Sequence, residues 1–514
     1  MTLAAGARRK KPSVAGAVFA IGAVSAVLYA ALYFVDQSIF LNGFDLAFGD
    51  IGFHGTAPDR GRMLFDLAAY ALFTLGLFAL YARLLSLCAR RRLSQTARAL
   101  VLGFPVAFNI LLLVGRPFLS QDAWSYLAWG AVGLAPGGNP YFESGNVVAG
   151  TDLGRRLIEL GWRPNLPPLT WYGPRWTLVE TNIVRIVVDP IVALLVLKTI
   201  VVVATLGSAA LVWAILARVR PGRQLFGTVL YLWNPLIVFE FAGEGHNDAL
   251  VIFFVLLTLL FAVGRQPAGA AVALMLGVLT KYVPLIFGPA HLAYLWRQPV
   301  DRGRMIRELA IGVVAAVAIA GLVYAPFWAG PATLSGVIGA AGGSESFAST
   351  SGALRWLFQR VLPPVAAGQL TFGVLAGTFA VTVLLLSWRV STRMQLLRAC
   401  AYIALAYVFV VAPLLWPWYV ALPIALMALS PDRVFIRMVF VLAVCWRLVA
   451  PIDLVYENGF IPYRVGAIAT AAIGIGVPLI TLLVSWLRKP ERRRDAARIS
   501  GSHHPQSVAH AKAS

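Results

Sequence analysis

The sequence predicts an all-α polytopic membrane protein, and three observations predict it. The 514-residue chain is 59% hydrophobic and only 13% charged, where an ordinary soluble domain carries about a quarter charged residues. Its mean hydropathy is +0.78, more apolar surface than a soluble globule of this size can hide. The apolar residues also fall in runs of about 20, the length a helix needs to cross the hydrocarbon. A soluble enzyme, a secreted disulfide scaffold and a disordered chain are excluded.

The basic stretch Arg8-Arg9-Lys10-Lys11 precedes the first run, 13–35, which is long enough to remain as a span rather than act as a cleavable signal. Further runs lie at 64–87, 99–115, 190–217, 225–242, 249–264, 306–327, 366–388, 399–414, 418–430, 434–450 and 463–487. The stretch 269–296 carries Lys281 near its middle and reads as two helical segments meeting at Lys281-Tyr282-Val283-Pro284. The expected total is about 13 or 14 crossings.

The net charge of +21 would point to nucleic acid in a soluble chain. Here the basic residues sit in short clusters between apolar runs, which is a topology signal, and nucleic acid is not an expected partner. With the N-terminus inside, one alternation puts Arg90-Arg91-Arg92, Arg218/Arg220/Arg223, Arg265, Arg297/Arg302/Arg304/Arg307, Arg389/Arg393/Arg398, Arg433/Arg437 and the tail on the cytoplasmic side. It does so only if 269–296 turns back on itself. Of the 22 acidic residues, only Asp301, Glu308, Asp432, Glu491 and Asp495 then fall inside. Cys88, Cys400 and Cys445 lie in or beside apolar runs, so no disulfide framework is expected.

The chain therefore divides into a basic cytoplasmic N-terminus (1–12), one transmembrane domain (13–487) and a polar tail (488–514) expected to be disordered. His503, His504 and His510 in that tail read as floppy polar residues rather than metal ligands. Two outside segments are long. The first, 116–189, is rich in Trp, Tyr, Pro and Gly and should be structured, with interfacial helices. The second, 328–365, holds Gly342-Gly343-Ser344-Glu345-Ser346 and the amphipathic Leu354-Arg355-Trp356-Leu357-Phe358, a mobile lid followed by an interfacial helix.

Four groups of residues carry possible chemistry. In Ser120-Gln121-Asp122-Ala123-Trp124-Ser125-Tyr126, an acid at the mouth of a membrane helix can sit in a half-buried cavity and accept a proton. Equally, Ser120 or Asp122 can cap an interfacial helix. Glu240-Phe241-Ala242-Gly243-Glu244-Gly245-His246-Asn247-Asp248 crowds three carboxylates, a histidine and an asparagine into one outside turn. Such groups are costly at membrane depth unless they line a cavity. The alternative is an ordinary loop with Asp248 capping the next helix, and one histidine among carboxylates is a weak metal signature. Lys281 needs an anionic partner, such as a lipid phosphate, or must snorkel to the surface. The fourth group is Asn139-Pro140-Tyr141, Pro167-Pro168 and Trp171-Tyr172-Gly173-Pro174-Arg175-Trp176. It offers aromatic faces for sugar rings and an arginine for phosphate, or interfacial anchors. The same two readings apply to Trp416-Pro417-Trp418-Tyr419, and to Arg447 and Arg464, which bracket the last outside loop.

The order SQDAWSY, GNPY, WYGPRW, WNPL, GEGHNDAL and then Lys281, after a few leading helices, resembles the GT-C membrane glycosyltransferases. Within them it is most similar to the polyprenyl-phosphate-mannose-dependent α-1,6-mannosyltransferases of actinobacteria, the MptB-like group. The motifs cover about 105–290; the final 200 residues match only in hydropathy. The resemblance implies a GT-C-like bundle in the bacterial cytoplasmic membrane, with both termini cytoplasmic and the active site on the outer face. It implies a polyprenyl-phosphate sugar as donor, a glycan or glycolipid as acceptor, and Asp122 as general base. Where the family carries Arg-Asp this chain has Gln121-Asp122, and a DxD metal motif is absent. No cofactor or metal is expected.

One carboxylate suffices for such a transfer, because the leaving lipid phosphate is already a weak base. Its departure calls for positive charge and hydrogen-bond donors. Lys281, His246, Arg447 and Arg464 are the candidates for the phosphate. Tyr126, Tyr172, Arg175, Glu244, Asn247 and Asp248 are the candidates for sugar and acceptor. The rival classes are a lipid-linked sugar transporter or flippase, in which an inverted repeat is expected and none is evident, and a ligase that moves a whole glycan from a pyrophosphate lipid.

Overall fold

The computed structural model describes residues 13–42, 59–90, 93–164, 169–299, 301–334, 349–412, 415–457, 459–485 and 487, the side chain of 457 excepted. These residues form helices of several kinds, with no strand among the described residues. Among the described residues nine helices are long and apolar enough to cross a membrane: Val14–Leu41, Arg60–Arg90, Gln95–Leu113, Pro190–Val219, Arg302–Phe327, Pro364–Ser387, Arg393–Val411, Arg433–Tyr456 and Tyr463–Ser485. The pair Gln224–Leu232 and Pro235–Gly243, bent by 56°, makes a tenth if it is one span. The count is below the 13 or 14 expected from hydropathy. The difference lies in 249–264, 269–296 and 418–430, which form the shorter helices Asp248–Val263, Pro267–Val278, Val283–Trp296 and Pro417–Leu429. The polar turn before Asp248 and the break at Lys281 cut the apolar sequence into pieces of less than full membrane length.

Local sequence sets the ends and breaks. Ser13 and Ser94 accept from the backbone N–H groups of Gly16 and Ala97, capping the first and third long helices. Asp189 caps Ile191 and Val192 just ahead of Pro190, whose missing N–H costs nothing at a helix start. Pro235 has no N–H to continue the preceding helix. The chain therefore bends at Trp233-Asn234, and the Asn234 side chain caps Leu236 N at 3.0 Å. Large exposed apolar side chains such as Leu64, Phe65, Leu72, Val314, Leu322, Val365 and Leu385 line the outer faces of the long helices, as lipid-facing surfaces require.

The first outside segment is structured as its composition suggests. It contains helices Asp122–Val132, Asp152–Glu159 and Pro174–Ile186, and the first and last of these pack on each other. Their close approach is possible because Gly130 faces the Glu180 carbonyl, which a Cβ would meet at 2.6 Å. In the second segment the amphipathic piece forms helix Thr350–Phe358. The Gly342–Ser346 stretch, Pro167-Pro168, the N-terminal 1–12 and the tail after 487 lie outside the described residues.

Candidate active site

Asp122 is the first residue of its helix, and its side chain caps nothing. Ser120 Oγ instead accepts from the Asp122 N–H at 3.1 Å, which turns the carboxylate away from its own backbone. Oδ2 then accepts from Tyr172 Oη at 2.8 Å and from Tyr126 Oη at 3.2 Å. His246 Nδ1 lies 3.4 Å from the same oxygen. The contacts converge on Oδ2. Oδ1 accepts no hydrogen bond among the described residues, and the side chain remains 17% exposed. The two tyrosines reach Asp122 from different elements. Tyr126 comes from one turn along the same helix, while Tyr172 precedes Gly173, whose N–H bonds the Thr280 carbonyl at 3.0 Å. A Cβ on Gly173 would stand 2.2 Å from the Leu279 carbonyl oxygen, so this close approach requires glycine.

The GEGHND turn delivers His246 to the other side of Asp122. Gly245 adopts φ +80°, a left-handed conformation that favours glycine. The imidazole is fully buried and stacks on Trp418 at 3.9 Å between centroids. Trp418 stacks in turn on Trp416 at 5.4 Å. Both ring nitrogens sit at ion-pair range, without hydrogen-bond alignment: Nδ1 from Asp122, and Nε2 at 3.4 Å from Glu240 Oε2. Burial opposes charge on His246, but the neighbouring Asp122 and then Glu240 outweigh it and hold its pKa above the ordinary 6.5. Burial likewise pushes Asp122 up, but His246, Tyr172 and Lys281 together pull its pKa below the ordinary 3.8.

Beneath His246 lies a second charged group. Arg447 is 1% exposed and pairs with Asp36 Oδ2 and Glu240 Oε1, each at 3.2 Å. Its guanidinium lies over Phe239, 4.1 Å from the ring centroid, and Tyr70 Oη donates to its backbone carbonyl.

The other expected residues divide. Lys281 neither snorkels nor stands alone; its Nζ bonds both Asp248 oxygens at 3.1 and 2.9 Å and lies over the rings of Tyr419 and Tyr172. Asp248, like Asp122, opens its helix without capping it. Arg175 Nη1 donates to Thr280 Oγ1 at 2.7 Å, and its guanidinium sits 4.3 Å from the Phe254 centroid. The expectation that Arg447 or His246 waits for a phosphate does not match their surroundings. Each is sealed from outside and already stands between two carboxylates. Glu244 is buried and accepts from the Ser120 N–H at 2.9 Å, tying the turn to the Asp122 loop. Asn247 is fully buried. Arg464 is exposed at the start of the last long helix and makes no contact with this cluster among the described residues. The departure from the family's Arg-Asp pair has a local consequence: Gln121 Oε1 accepts from the Arg163 N–H at 2.8 Å, fixing a neighbouring loop.

Sequence reasoning missed Asp36, Glu180 and Lys198. Each is a lone ionisable residue in an otherwise apolar helix face, which is the signal that could have found it. Lys198 Nζ donates to the carbonyl oxygens of Leu112, at 2.9 Å, and Gly115, closing the end of the third long helix. Glu180 is fully buried with neither oxygen hydrogen-bonded. Burial first, and the charge of Asp122 second, raise its pKa well above the ordinary 4.5. Among the described residues no group of three or more His, Cys, Asp or Glu is placed to hold a metal ion.

Residues 53–297 match the family described as "Alpha-(1->6)-mannopyranosyltransferase, N-terminal domain". That range contains every charged member of the outer cluster. The "Alpha-(1->6)-mannopyranosyltransferase A" of Mycobacterium tuberculosis is 28% identical over 311 residues, 59% of this chain and 54% of that protein. The protein of the same name from Corynebacterium glutamicum is 28% identical over 191 residues, 36% of each chain. The chain thus spans about half, and about a third, of the length of these two relatives. Over residues 53–297 the chain is thus similar to the α-(1->6)-mannopyranosyltransferases.

Proposed function

We propose that the protein transfers mannose from a polyprenyl phosphate carrier to a hydroxyl of a glycan or glycolipid acceptor, with inversion, at the outer face of the bacterial cytoplasmic membrane. The observation that carries this reading is Asp122 itself. Its carboxylate is fixed by two tyrosines through Oδ2, while Oδ1 remains able to take a proton. In the reaction Oδ1 accepts the proton of the acceptor hydroxyl, the hydroxyl oxygen bonds to C1, and the C1–O bond to phosphate breaks. The electron pair leaves on the lipid phosphate, which needs no proton to depart. The outer-face placement is supported by the basic clusters Arg90-Arg91-Arg92 and Arg218/Arg220/Arg223, each separated from the Asp122 segment by one long apolar helix. The family supports mannose; the relatives carry α-(1->6)-mannopyranosyl transfer in their names.

The test is a donor panel on the purified full-length protein. Polyprenyl-phosphate mannose, glucose and arabinose, and a pyrophosphate-linked glycan, are offered with no membrane gradient. Mannosyl transfer from the monophosphate donor is expected, and Asp122→Asn should lower its rate by about 10²–10⁴ while the protein still folds and inserts in the membrane. Transfer from the pyrophosphate lipid alone would make the protein a glycan ligase. Passage of intact lipid-linked sugar across vesicles without transfer would make it a flippase. An Asp122→Asn protein working at the parental rate would remove the base.

A further inference from the structure

The cations around Asp122 are nearly all neutralised by the protein itself. Arg447 lies between Asp36 and Glu240, His246 between Asp122 and Glu240, and Lys281 is held by Asp248. Lys198 is closed off by two carbonyl oxygens. Among the described residues Arg175, like Lys198, has no carboxylate partner, but no carbonyl oxygens close off its donors. Its one side-chain hydrogen bond goes to the Thr280 hydroxyl and its face rests on Phe254. A guanidinium carries five N–H donors, so most of its capacity is unused. Burial without a counter-charge draws its pKa down to about 10, the signature of a cation that is poorly compensated.

A purely structural clamp does not account for this. The backbone already fastens the start of helix Pro174–Ile186 to the end of Pro267–Val278. Gly173 N–H bonds Thr280 O at 3.0 Å, and Arg175 N–H bonds Leu279 O at 2.9 Å. The guanidinium is surplus to that clasp.

Its depth is also telling. Helix Asp248–Val263 runs inward from the turn that carries His246, and Phe254 lies six residues into it, about 9 Å along the axis. The Arg175 guanidinium over Phe254 therefore lies further along that helix than the Lys281–Asp248 pair at its start. On the outer-face reading proposed above, that is the direction of the bilayer, from which the phosphate of a lipid-borne sugar reaches the site. Helix Arg302–Tyr324 packs against both Pro174–Ile186 and Pro267–Val278. It presents the exposed apolar side chains Val313, Val314, Val317 and Leu322, a surface suited to a prenyl tail.

We propose that Arg175, supported by Thr280, is the residue that binds the phosphate of the lipid carrier. The proposal rests on the transfer reading above. In that reaction the phosphate passes from diester to monoester and gains negative charge as the C1–O bond breaks. An arginine held there binds the leaving group more tightly than the ground state, which is the condition for lowering the barrier.

The experiment uses full-length protein in detergent and decaprenyl monophosphate as the probe, followed by tryptophan fluorescence. Decaprenol and inorganic phosphate serve as the two partial probes. Arg175→Gln keeps a hydrogen-bonding side chain but removes the charge, and Arg175→Lys keeps the charge. Arg175→Gln is expected to weaken decaprenyl monophosphate binding about 10- to 100-fold. Decaprenol binding and the unfolding temperature should not change, and Arg175→Lys should recover part of the loss. Asp122→Asn should bind the probe like the parent. Equal binding of decaprenyl monophosphate by the parent and Arg175→Gln overturns the assignment. So does an effect confined to inorganic phosphate, which would mark a soluble-anion site. If the parent binds the probe through Arg175 but transfers no sugar from any donor, the transfer reading fails instead and the phosphate site stands.

Discussion

Asp122 and Glu240 lie on opposite sides of one imidazole, each 3.4 Å from a ring nitrogen, yet the protein treats them differently. Glu240 is 2% exposed and shares Arg447 with Asp36, in a group closed by Phe239 and Tyr70. Asp122 is held by tyrosine hydroxyls, keeps one oxygen uncommitted and reaches the surface. Charges that neutralise each other in a dry interior fix the positions of helices but have no capacity left for a substrate. Asp122 sits beside that group without being part of it, and on the reading proposed above it is the uncommitted oxygen that takes the proton. The separation between a structural layer and a chemical layer is one ring thick.

The largest effect that would sharpen this contrast is on stability. Arg447→Met leaves two buried carboxylates unpaired and should destabilise the protein by about 3–5 kcal/mol, read as a fall in unfolding midpoint in detergent. An unchanged midpoint would show that the deep group does not hold the fold. Tyr172→Phe comes next. It removes one hydrogen bond to the charged Asp122, worth about 1.5–3 kcal/mol of stability, and should lower the unfolding temperature while slowing transfer roughly tenfold or more. A variant as active as the parent would mean that the tyrosine does not position the base.

The smallest expected effect is the pH dependence of the Asp122–His246 coupling. Folding raises the His246 pKa above 6.5, so the stability it contributes is complete below 6.5 and is lost as pH rises through the folded value. Folding lowers the Asp122 pKa below 3.8, so its contribution is complete above 3.8 and is lost as pH falls through the folded value. The pair therefore counts fully between 3.8 and 6.5. Glu240 and Asp248 also face the histidine, so the coupling is isolated by a double-mutant cycle of Asp122→Asn and His246→Gln. Its value should be larger at pH 6 than at pH 9; the reverse order would mean that His246 is neutral in the folded state.

Much of the outer layer is legible in the chain because its parts are short-range. An acid directly after a span, a tyrosine one turn later, a glycine-flanked histidine turn and a lysine inside an apolar stretch all announce themselves. Their partners do not. Lys281 and Asp248 are 33 residues apart, and Tyr172 reaches Asp122 across 50. Arg447 meets Glu240 across 207 residues and Asp36 across 411. For that reason Arg447 reads from sequence as an outward-facing cation and in the structure is the centre of a sealed group.

Hydropathy by itself determines that this chain is a helical multi-pass membrane protein, because lipid accepts only backbones bonded within their own segment. Which charges remain available for a substrate was decided only by the tertiary structure. Whether a buried ion is spent or free depends on what lies within a few ångströms of it, and in a folded bundle those neighbours come from hundreds of residues away.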